Sequence, residues 1–159
     1  MSDQNEALRL EYLANFEYDY AAGRYATRFM TELKETTKLF GTECSWCGRV
    51  YVPPRPLCGI CSAPTKEDWV EVGPKGTLTG FTVVEIPFID PMTGEKRPVP
   101  YGFAFVRLEG CDTNMYHFID ETDHSKMWVG MQVEAVFKPD GEREGKMSDI
   151  MYFKTLETK

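Results

Sequence analysis

The sequence lacks several features that would assign it to common classes of protein. Its 159 residues contain no apolar run near the roughly 20 residues that a membrane-spanning helix needs. The acidic, amphipathic N-terminus has neither the basic start nor the apolar stretch of a signal peptide. HExxH, GxSxG, P-loop and GxGxxG motifs are all missing. We therefore expect a cytoplasmic protein that carries no recognisable catalytic constellation of its own.

Positive charge is also scarce. Lys and Arg together number 18 against 25 Asp and Glu, which gives a net charge of −7. Binding to a phosphate backbone is driven by Lys and Arg displacing counterions, and the chain has no basic surplus for this. Nucleic acid is therefore disfavoured as a partner. Hydrophobic residues make up 42% of the chain, which is enough for a packed core.

Four of the five cysteines carry the strongest chemical signal. They form two CxxC pairs separated by ten residues: Cys44, Cys47, Cys58 and Cys61. Two such turns brought together give a closed tetrahedral site of four thiolates, typical of structural zinc. Gly48 and Gly59 supply the small residues that tight turns need. Iron in a rubredoxin-like site is the main alternative. Disulfides do not suit a cytosolic chain, and a redox CxxC would need only one pair.

The remaining Cys and the two His residues give weaker signals. Cys111 lies in a turn-like segment with His117 nearby in sequence, which raises the hypothesis of a nucleophile and base. Proximity in sequence does not place a base beside a thiol, so a small residue at the end of a strand is the preferred interpretation. His124 is interpreted as a surface loop residue.

Residues 1–40 have the pattern of amphipathic helices. One aromatic-rich stripe repeats every four positions and a second follows Gly23: Leu8, Tyr12, Phe16 and Tyr20, then Tyr25, Phe29, Leu33 and, less regularly, Phe40. The spacing predicts two helices, or one bent helix. A short metal ribbon cannot cover both apolar faces, so we expect part of the stripe to dock on the following domain or on another subunit.

From Trp69 onward the pattern changes to strands. Five segments are β-branched, apolar or alternating: 76–86, 101–108, 114–119, 131–137 and 149–154. The segment 101–108 has the continuous apolar character of a strand buried on both sides. Five strands without an intervening helix indicate a small barrel, with the OB-fold as the natural candidate. The long loop from Pro87 to Pro100 has the length of a functional or disordered segment.

The predicted protein is therefore mainly β with N-terminal helices. We expect helices in residues 1–40, a four-cysteine zinc ribbon in 41–68 and a five-stranded OB-like barrel in 69–159. This order resembles the DUF35 family of OB-fold proteins with a rubredoxin-like zinc ribbon. The resemblance rests on these stretches: CSWCG from Cys44, YVPPR from Tyr51, CGIC from Cys58, Trp69, GTLTGFTVV from Gly76, PY from Pro100 and LEG from Leu108.

The resemblance implies an accessory role rather than independent catalysis. Members of the family form hetero-oligomers with thiolase-superfamily enzymes and help to bind acyl-CoA, so the Claisen-type chemistry is expected to belong to the partner. The specific CoA thioester that the resemblance suggests is benzoylsuccinyl-CoA, which is cleaved in anaerobic toluene degradation. The alternatives are a nucleic-acid-binding OB module and an electron carrier with iron at the four cysteines.

Residues for these roles can be suggested from their type and position. The segment 44–75 is the only part of the chain without net negative charge, and its cations could meet CoA phosphates. The candidates for CoA binding are Arg49, Arg55 and Lys75. Exposed aromatic residues favour interfaces, so the candidates for partner contact are Tyr12, Phe16, Tyr20, Phe29 and Phe88.

Overall fold

A helix, a small sheet and a closed barrel follow one another along the chain. The computed structural model describes Glu11 and residues 20–89 and 94–156. Its elements are α1 (Gly23–Thr36), β1 (Leu39–Cys44), β2 (Val50–Tyr51), β3 (Thr65–Val72), β4 (Lys75–Val84), β5 (Tyr101–Leu108), β6 (Asn114–Ile119), β7 (Gln132–Phe137) and β8 (Ile150–Thr155). The protein is mainly β, as the sequence predicts.

Helix α1 is amphipathic and buries Phe29 and Leu33 on its inner face. It ends because Thr37 takes a left-handed conformation (φ 57°) and its backbone N–H returns to the carbonyl of Leu33 at 3.2 Å. Phe40, which the sequence pattern placed at the end of the second helical stripe, instead lies in β1. The helix ends at Thr36, and after the left-handed turn at Thr37 the chain enters β1, so the helical stripe stops before Phe40.

The first predicted helix, with Leu8, Tyr12 and Phe16, lies outside the described residues. Helix α1, the one α-helix in the described part of the chain, is not long and apolar enough to cross a membrane.

The four-cysteine region forms a three-stranded antiparallel sheet in the order β2-β1-β3. This sheet is joined to the barrel by backbone and side-chain hydrogen bonds. The backbone N–H of Val50 donates to Oδ2 of Asp112 at 2.9 Å. The backbone N–H of Val52 donates to Oγ1 of Thr113 at 2.9 Å, and that hydroxyl donates back to the Val52 carbonyl at 3.0 Å. The turn between β5 and β6 therefore fixes the ribbon against the barrel.

Strands β4 to β8 close into a five-stranded barrel in the order β4-β5-β6-β8-β7, with β7 pairing back to β4. All pairings are antiparallel except the short parallel contact of β6 with β8, where Ile119 lies opposite Phe153. This is the strand order of an OB-like barrel, so that prediction from the sequence is confirmed.

One continuous core connects the three parts of the molecule. It contains Phe29 and Leu33 from α1, Leu39 and Val72 from the ribbon sheet, and the inward side chains of the barrel. Because Phe29 and Leu33 dock on this core, the inner face of α1 is satisfied within the chain. The expectation that part of the stripe packs on the following domain is met by these two residues.

Strand β5 differs from its prediction. Ala104, Val106 and Leu108 are buried in the barrel, but the alternate side chains face outward and Phe105 is 49% exposed. The strand is therefore buried on one side only. The segment reads as an almost continuous apolar run because three of its four outward positions are aromatic: Tyr101, Phe103 and Phe105.

Candidate metal centre and aromatic face

The fold brings the four cysteines of the CxxC pairs together. Their Sγ atoms all lie within 4.8 Å of one another. The Sγ of Cys44 is 3.5 Å from that of Cys61, and the Sγ of Cys47 is 3.7 Å from that of Cys58. A metal with Zn–S bonds of about 2.3 Å in tetrahedral geometry separates its sulfurs by about 3.8 Å. The separations fit such a site and are far longer than a disulfide bond of about 2.05 Å.

The two CxxC turns have the same local geometry. In the first, the backbone N–H groups of Trp46 and Cys47 each approach the Sγ of Cys44 at 3.4 Å. In the second, those of Ile60 and Cys61 approach the Sγ of Cys58 at 3.4 and 3.5 Å. Each turn therefore aims two N–H dipoles at its first cysteine, which stabilises the thiolate form that binds metals.

These contacts alter the acidity of the first cysteine of each pair. The N–H of Cys47, with that of Trp46, lowers the pKa of Cys44 in spite of burial. The hydroxyl of Tyr51, with the N–H groups of Cys61 and Ile60, lowers the pKa of Cys58 to about 5. Each turn thus favours the thiolate form of its buried first cysteine, which is the form that binds a metal cation.

The second cysteine of each pair behaves in the opposite way. The N–H of Ala63 favours the Cys61 thiolate, but burial and the sulfurs of Cys58 and Cys44 raise the pKa of Cys61 to about 11. Four thiolates this close repel one another, so a cation is needed to compensate their charge. The donor set and its geometry therefore suit a divalent metal held by sulfur alone.

The turns also require particular backbone conformations. Gly48 and Ser62 follow the first and second CxxC pairs, and both have positive φ, 71° and 58°. The N–H of each returns to the carbonyl of the first cysteine at 3.1 Å. Gly48 therefore has the role expected from the sequence, whereas in the second turn the left-handed position is Ser62 and not Gly59.

The three candidate cations for CoA lie in two regions. Arg49 and Arg55 are exposed residues of the ribbon, while Lys75 is exposed at the start of β4 in the barrel, opposite Glu134. The guanidinium carbon of Arg55 lies 4.5 Å from the ring centre of Tyr51, a cation–π contact. Arg55 is thus the candidate with a defined orientation, and it lies over the ring whose hydroxyl contacts Cys58.

Cys111 does not form a nucleophile and base pair with His117 in the described part of the chain. The thiol of Cys111 donates to the carbonyl of Thr113 at 3.0 Å, and Nε2 of His117 lies 3.2 Å from the carbonyl of Met147. His124 is exposed in a short 3-10 turn. These placements agree with the structural interpretation of Cys111 and with the surface position expected for His124.

The aromatic candidates for partner contact have different outcomes. Phe29 is only 1% exposed, so its side chain belongs to the core of the chain. Its prediction as a partner-contact residue was therefore wrong. The Tyr20 side chain is exposed. Phe88 is 50% exposed and its ring lies 6.4 Å from that of Tyr101. Tyr12 and Phe16 lie outside the described residues.

Phe88 belongs to a larger surface that the sequence did not reveal. Six outward rings follow one another at centroid distances of 5.6–6.4 Å. We call this surface the aromatic face; its members are Phe88, Tyr101, Phe103, Phe105, Tyr116 and Phe118. Arg97 lies over it, with its guanidinium carbon 4.3 Å from the ring centre of Phe118. The signal in the sequence was the apolar character of 101–108 at every position but Arg107.

The ribbon, the barrel and the four-cysteine cluster define an OB-fold protein with a rubredoxin-like zinc ribbon. Residues 32–67 match the family model described as "ChsH2, rubredoxin-like zinc ribbon domain". Residues 69–138 match the model described as "ChsH2, C-terminal OB-fold domain". The chain is also similar to curated relatives over most of its length.

A "DUF35 domain-containing scaffold protein" of Methanocaldococcus jannaschii is 31% identical over 137 residues, which is 84% of this chain and 93% of the relative. A protein of the same description from Methanothermobacter thermautotrophicus is 29% identical over 126 residues, 79% of this chain and 90% of the relative. The chain belongs to the DUF35 family.

Two solved structures share the fold. One, described as "Ltp2-ChsH2(DUF35) aldolase", has a TM-score of 0.59 at 21% identity. The match spans 87% of this chain and 100% of the chain in that structure. The other is a DUF35-family protein of unknown function from Sulfolobus solfataricus, with a TM-score of 0.54 at 20% identity, covering 80% of this chain and 81% of its own. At these identities the two structures establish the fold of the chain.

Proposed function

We propose that this chain is the zinc-containing accessory subunit of a thiolase-type acyl-CoA complex. Its curated relatives are named scaffold proteins, and a solved structure of the same fold is described as the Ltp2-ChsH2(DUF35) aldolase. In this proposal the chain stabilises a catalytic partner and helps it to bind CoA. The making or breaking of the C–C bond belongs to the partner's own nucleophile.

The exposed aromatic face is the observation that carries the proposal. Phe105 and Tyr116, at one end of it, are 49% and 65% exposed. Contiguous apolar patches of this kind mark interaction sites, and aromatic residues are enriched in the cores of protein interfaces. Burying several of these rings against a partner would supply the anchors that usually dominate binding energy.

The metal centre contributes to this function by stabilising the ribbon. We propose that Cys44, Cys47, Cys58 and Cys61 bind one Zn²⁺ as a closed structural site. Four sulfurs leave no open position for water or substrate, and the binding energy of such a metal is folding energy. Iron at the same four thiolates is the alternative. Elemental analysis separates the two, and iron–thiolate sites absorb visible light whereas zinc does not.

The ribbon also supplies the proposed contacts to CoA. Arg49 and Arg55 are exposed there, and Lys75 follows on the barrel, so each could meet a phosphate of the cofactor. The narrower form of the proposal is thiolysis of benzoylsuccinyl-CoA in anaerobic toluene degradation. The described residues do not identify the acyl group, so that form is tested on the substrate itself, by assaying the purified complex with benzoylsuccinyl-CoA and free CoA.

The test of the accessory role is affinity purification of the tagged chain from its native cells, with mass spectrometry. We expect a stoichiometric thiolase-superfamily subunit to co-elute with the wild type. The variant Phe105→Glu should lose this partner because it places a charge in the aromatic face. Val129→Glu is the matched control, since Val129 is 66% exposed but lies in the loop before β7. A wild-type chain that elutes alone, or equal recovery with both variants, would contradict the proposal.

Nucleic-acid binding is the second candidate because of where the aromatic face lies. Five of its six rings project from β5 and β6, the second and third barrel strands, which OB-folds use to bind oligonucleotides. Stacking of bases on such rings is worth about 1–3 kcal/mol each. The net charge of −7 opposes it. Titration of a labelled oligothymidine with the protein at low salt tests this second candidate. Binding that weakens as salt is added would favour nucleic-acid binding, and the absence of binding would exclude it.

A further inference from the structure

An apolar pocket lies where helix α1, the ribbon and strand β6 meet. Its volume is about 480 Å³, within the range of sites that hold a small molecule. The lining comes from all three parts of the molecule: Ala26 and Met30 of α1, Pro53 of the ribbon region, and Phe103, His117 and Met147 of the barrel domain. The four-cysteine cluster contributes no residue to the pocket, whereas Phe103, Tyr116 and Phe118 belong both to its lining and to the aromatic face.

One polar group in this lining is unsatisfied. His117 is only 8% exposed, and its buried Nδ1 has no hydrogen-bond partner among the residues that the structure describes. An unpaired buried polar atom destabilises the folded protein, so its presence in a residue that lines a cavity calls for an explanation. A trapped water is a poor solution, because it needs two to four polar partners and most of the lining is hydrocarbon.

The other nitrogen of the ring determines what Nδ1 can accept. Nε2 lies 3.2 Å from the carbonyl oxygen of Met147, and a carbonyl only accepts, so Nε2 carries the hydrogen. Burial lowers the pKa of His117, although the Met147 carbonyl acts in the opposite direction. The ring is therefore neutral near pH 7, and Nδ1 presents a lone pair. Its missing partner must be a donor.

We propose that this pocket binds a small apolar molecule with one hydroxyl or N–H donor, and that Nδ1 of His117 accepts the hydrogen bond. Phenyl, naphthyl or indole-sized alcohols and N–H heterocycles have this chemistry. The aromatic and methionine side chains of the lining supply the apolar contacts. Nδ1 is itself buried in this conformation, so binding includes a small tilt of the imidazole toward the ligand.

The test uses two probes that differ only in the donor, 2-naphthol and its methyl ether 2-methoxynaphthalene, titrated into the full chain loaded with zinc. We expect 2-naphthol to bind about tenfold more tightly, which corresponds to one net hydrogen bond. The chain has only two His residues, so ring-¹⁵N-labelled histidine gives a simple spectrum. The Nδ1 resonance of His117 should shift with 2-naphthol and not with the ether, while the exposed His124 stays unchanged.

Two tryptophan variants locate the binding. Ala26→Trp introduces a bulky ring at the α1 side of the pocket while residue 117 remains histidine, and it should abolish binding of both probes. Thr27→Trp is the matched control, because Thr27 is exposed on the same helix and does not line the pocket. Equal affinity for the two probes, no binding of either, an unchanged His117 resonance, or 2-naphthol binding that survives Ala26→Trp would each overturn the proposal. If Ala26→Trp does not fold, the ¹⁵N resonance of His117 in the wild type still tests the proposed hydrogen bond.

Discussion

The hydroxyl oxygen of Tyr51 lies 3.0 Å from the Sγ of Cys58. Tyr51 is 4% exposed, so this contact forms inside the ribbon and not at its surface. A thiolate can only accept, and the Tyr51 O–H therefore donates to it. The contact raises the pKa of Tyr51 and is the largest of the effects that lower the pKa of Cys58. Tyr51 thus stabilises the thiolate of a proposed metal ligand without itself binding the metal.

Tyr51→Phe should weaken metal binding while leaving the fold in place. The variant keeps the buried ring and removes only the hydrogen bond to the Cys58 sulfur, and loss of such outer contacts typically costs about 10–100-fold in metal affinity. Competition between the protein and a zinc chelator measures the change. Tyr152→Phe, a half-buried tyrosine of β8, is the control. Equal zinc affinity in all three proteins would show that the hydroxyl does not support the site.

The two positions with positive φ after the CxxC pairs should respond oppositely to substitution. Gly48→Ala forces a side chain into the left-handed region and should cost about 1–2 kcal/mol. Ser62→Gly relieves the same strain, and should stabilise by less than that because glycine also gains freedom in the unfolded chain. Urea denaturation of the zinc-loaded proteins measures both. Destabilisation by Ser62→Gly, or no effect of Gly48→Ala, would contradict this account of the turns.

Much of the architecture could be predicted because its signals are local. The paired cysteines define a donor set whatever the surrounding fold, and the structure brings all four sulfurs within 4.8 Å. The segment 114–119 was predicted as a strand with the bounds that β6 has. The end of the second helix was missed because it depends on the backbone conformation of Thr37, which composition does not specify.

The aromatic face and the pocket could not be predicted, because each depends on contacts between distant segments. The run 101–108 is apolar at every position but Arg107, so the pattern alone did not tell which side chains face the barrel. The environment of His117 depends on Met147, thirty residues further on, and on helix α1. No spacing within the sequence reports that these segments meet around a cavity.

Arg55→Ala should raise the KM of the proposed complex for its acyl-CoA more than it lowers kcat. Loss of a contact made equally in ground and transition states weakens binding without slowing chemistry. One charge-assisted hydrogen bond to a phosphate corresponds to about a tenfold change in KM. Steady-state kinetics of the reconstituted complex measures this, with zinc content as a check, since Arg55 covers the ring of Tyr51.

Two comparisons make the result specific to Arg55. Arg55→Lys keeps the charge and should retain much of the affinity, and Arg107→Ala removes an exposed arginine of β5 that is not a CoA candidate. A defect confined to kcat would assign Arg55 to positioning of the partner. An unchanged KM would remove it from the proposed CoA site.

Asp149 is the buried acid whose loss should affect stability most clearly. Its side chain is 0% exposed and accepts from the backbone N–H groups of Glu144, Gly145 and Lys146 at 2.7–3.2 Å. Burial alone would raise the pKa of Asp149, but these three donors and the charge of Lys138 outweigh it and lower the pKa. The carboxylate thus stabilises the loop between β7 and β8.

Asp149→Asn should therefore destabilise the protein by about 2 kcal/mol near neutral pH, because the amide is a weaker acceptor and its NH₂ group faces N–H donors. The folded pKa lies below the unfolded value of about 3.9. The stabilisation is thus fully present above that pH and is lost as pH falls through the folded pKa. Urea midpoints of wild type and variant, each pair at one pH, should differ equally at pH values of about 7 and 5. The difference should begin to shrink only below the unfolded pKa of about 3.9 and should close as the pH falls through the lower folded pKa. Asp68→Asn, at an exposed position of β3, is the control and should have nearly the wild-type urea midpoint at every pH. If the midpoint of Asp149→Asn stayed below that of the wild type in acid, the ionised carboxylate would not be the source of the stabilisation.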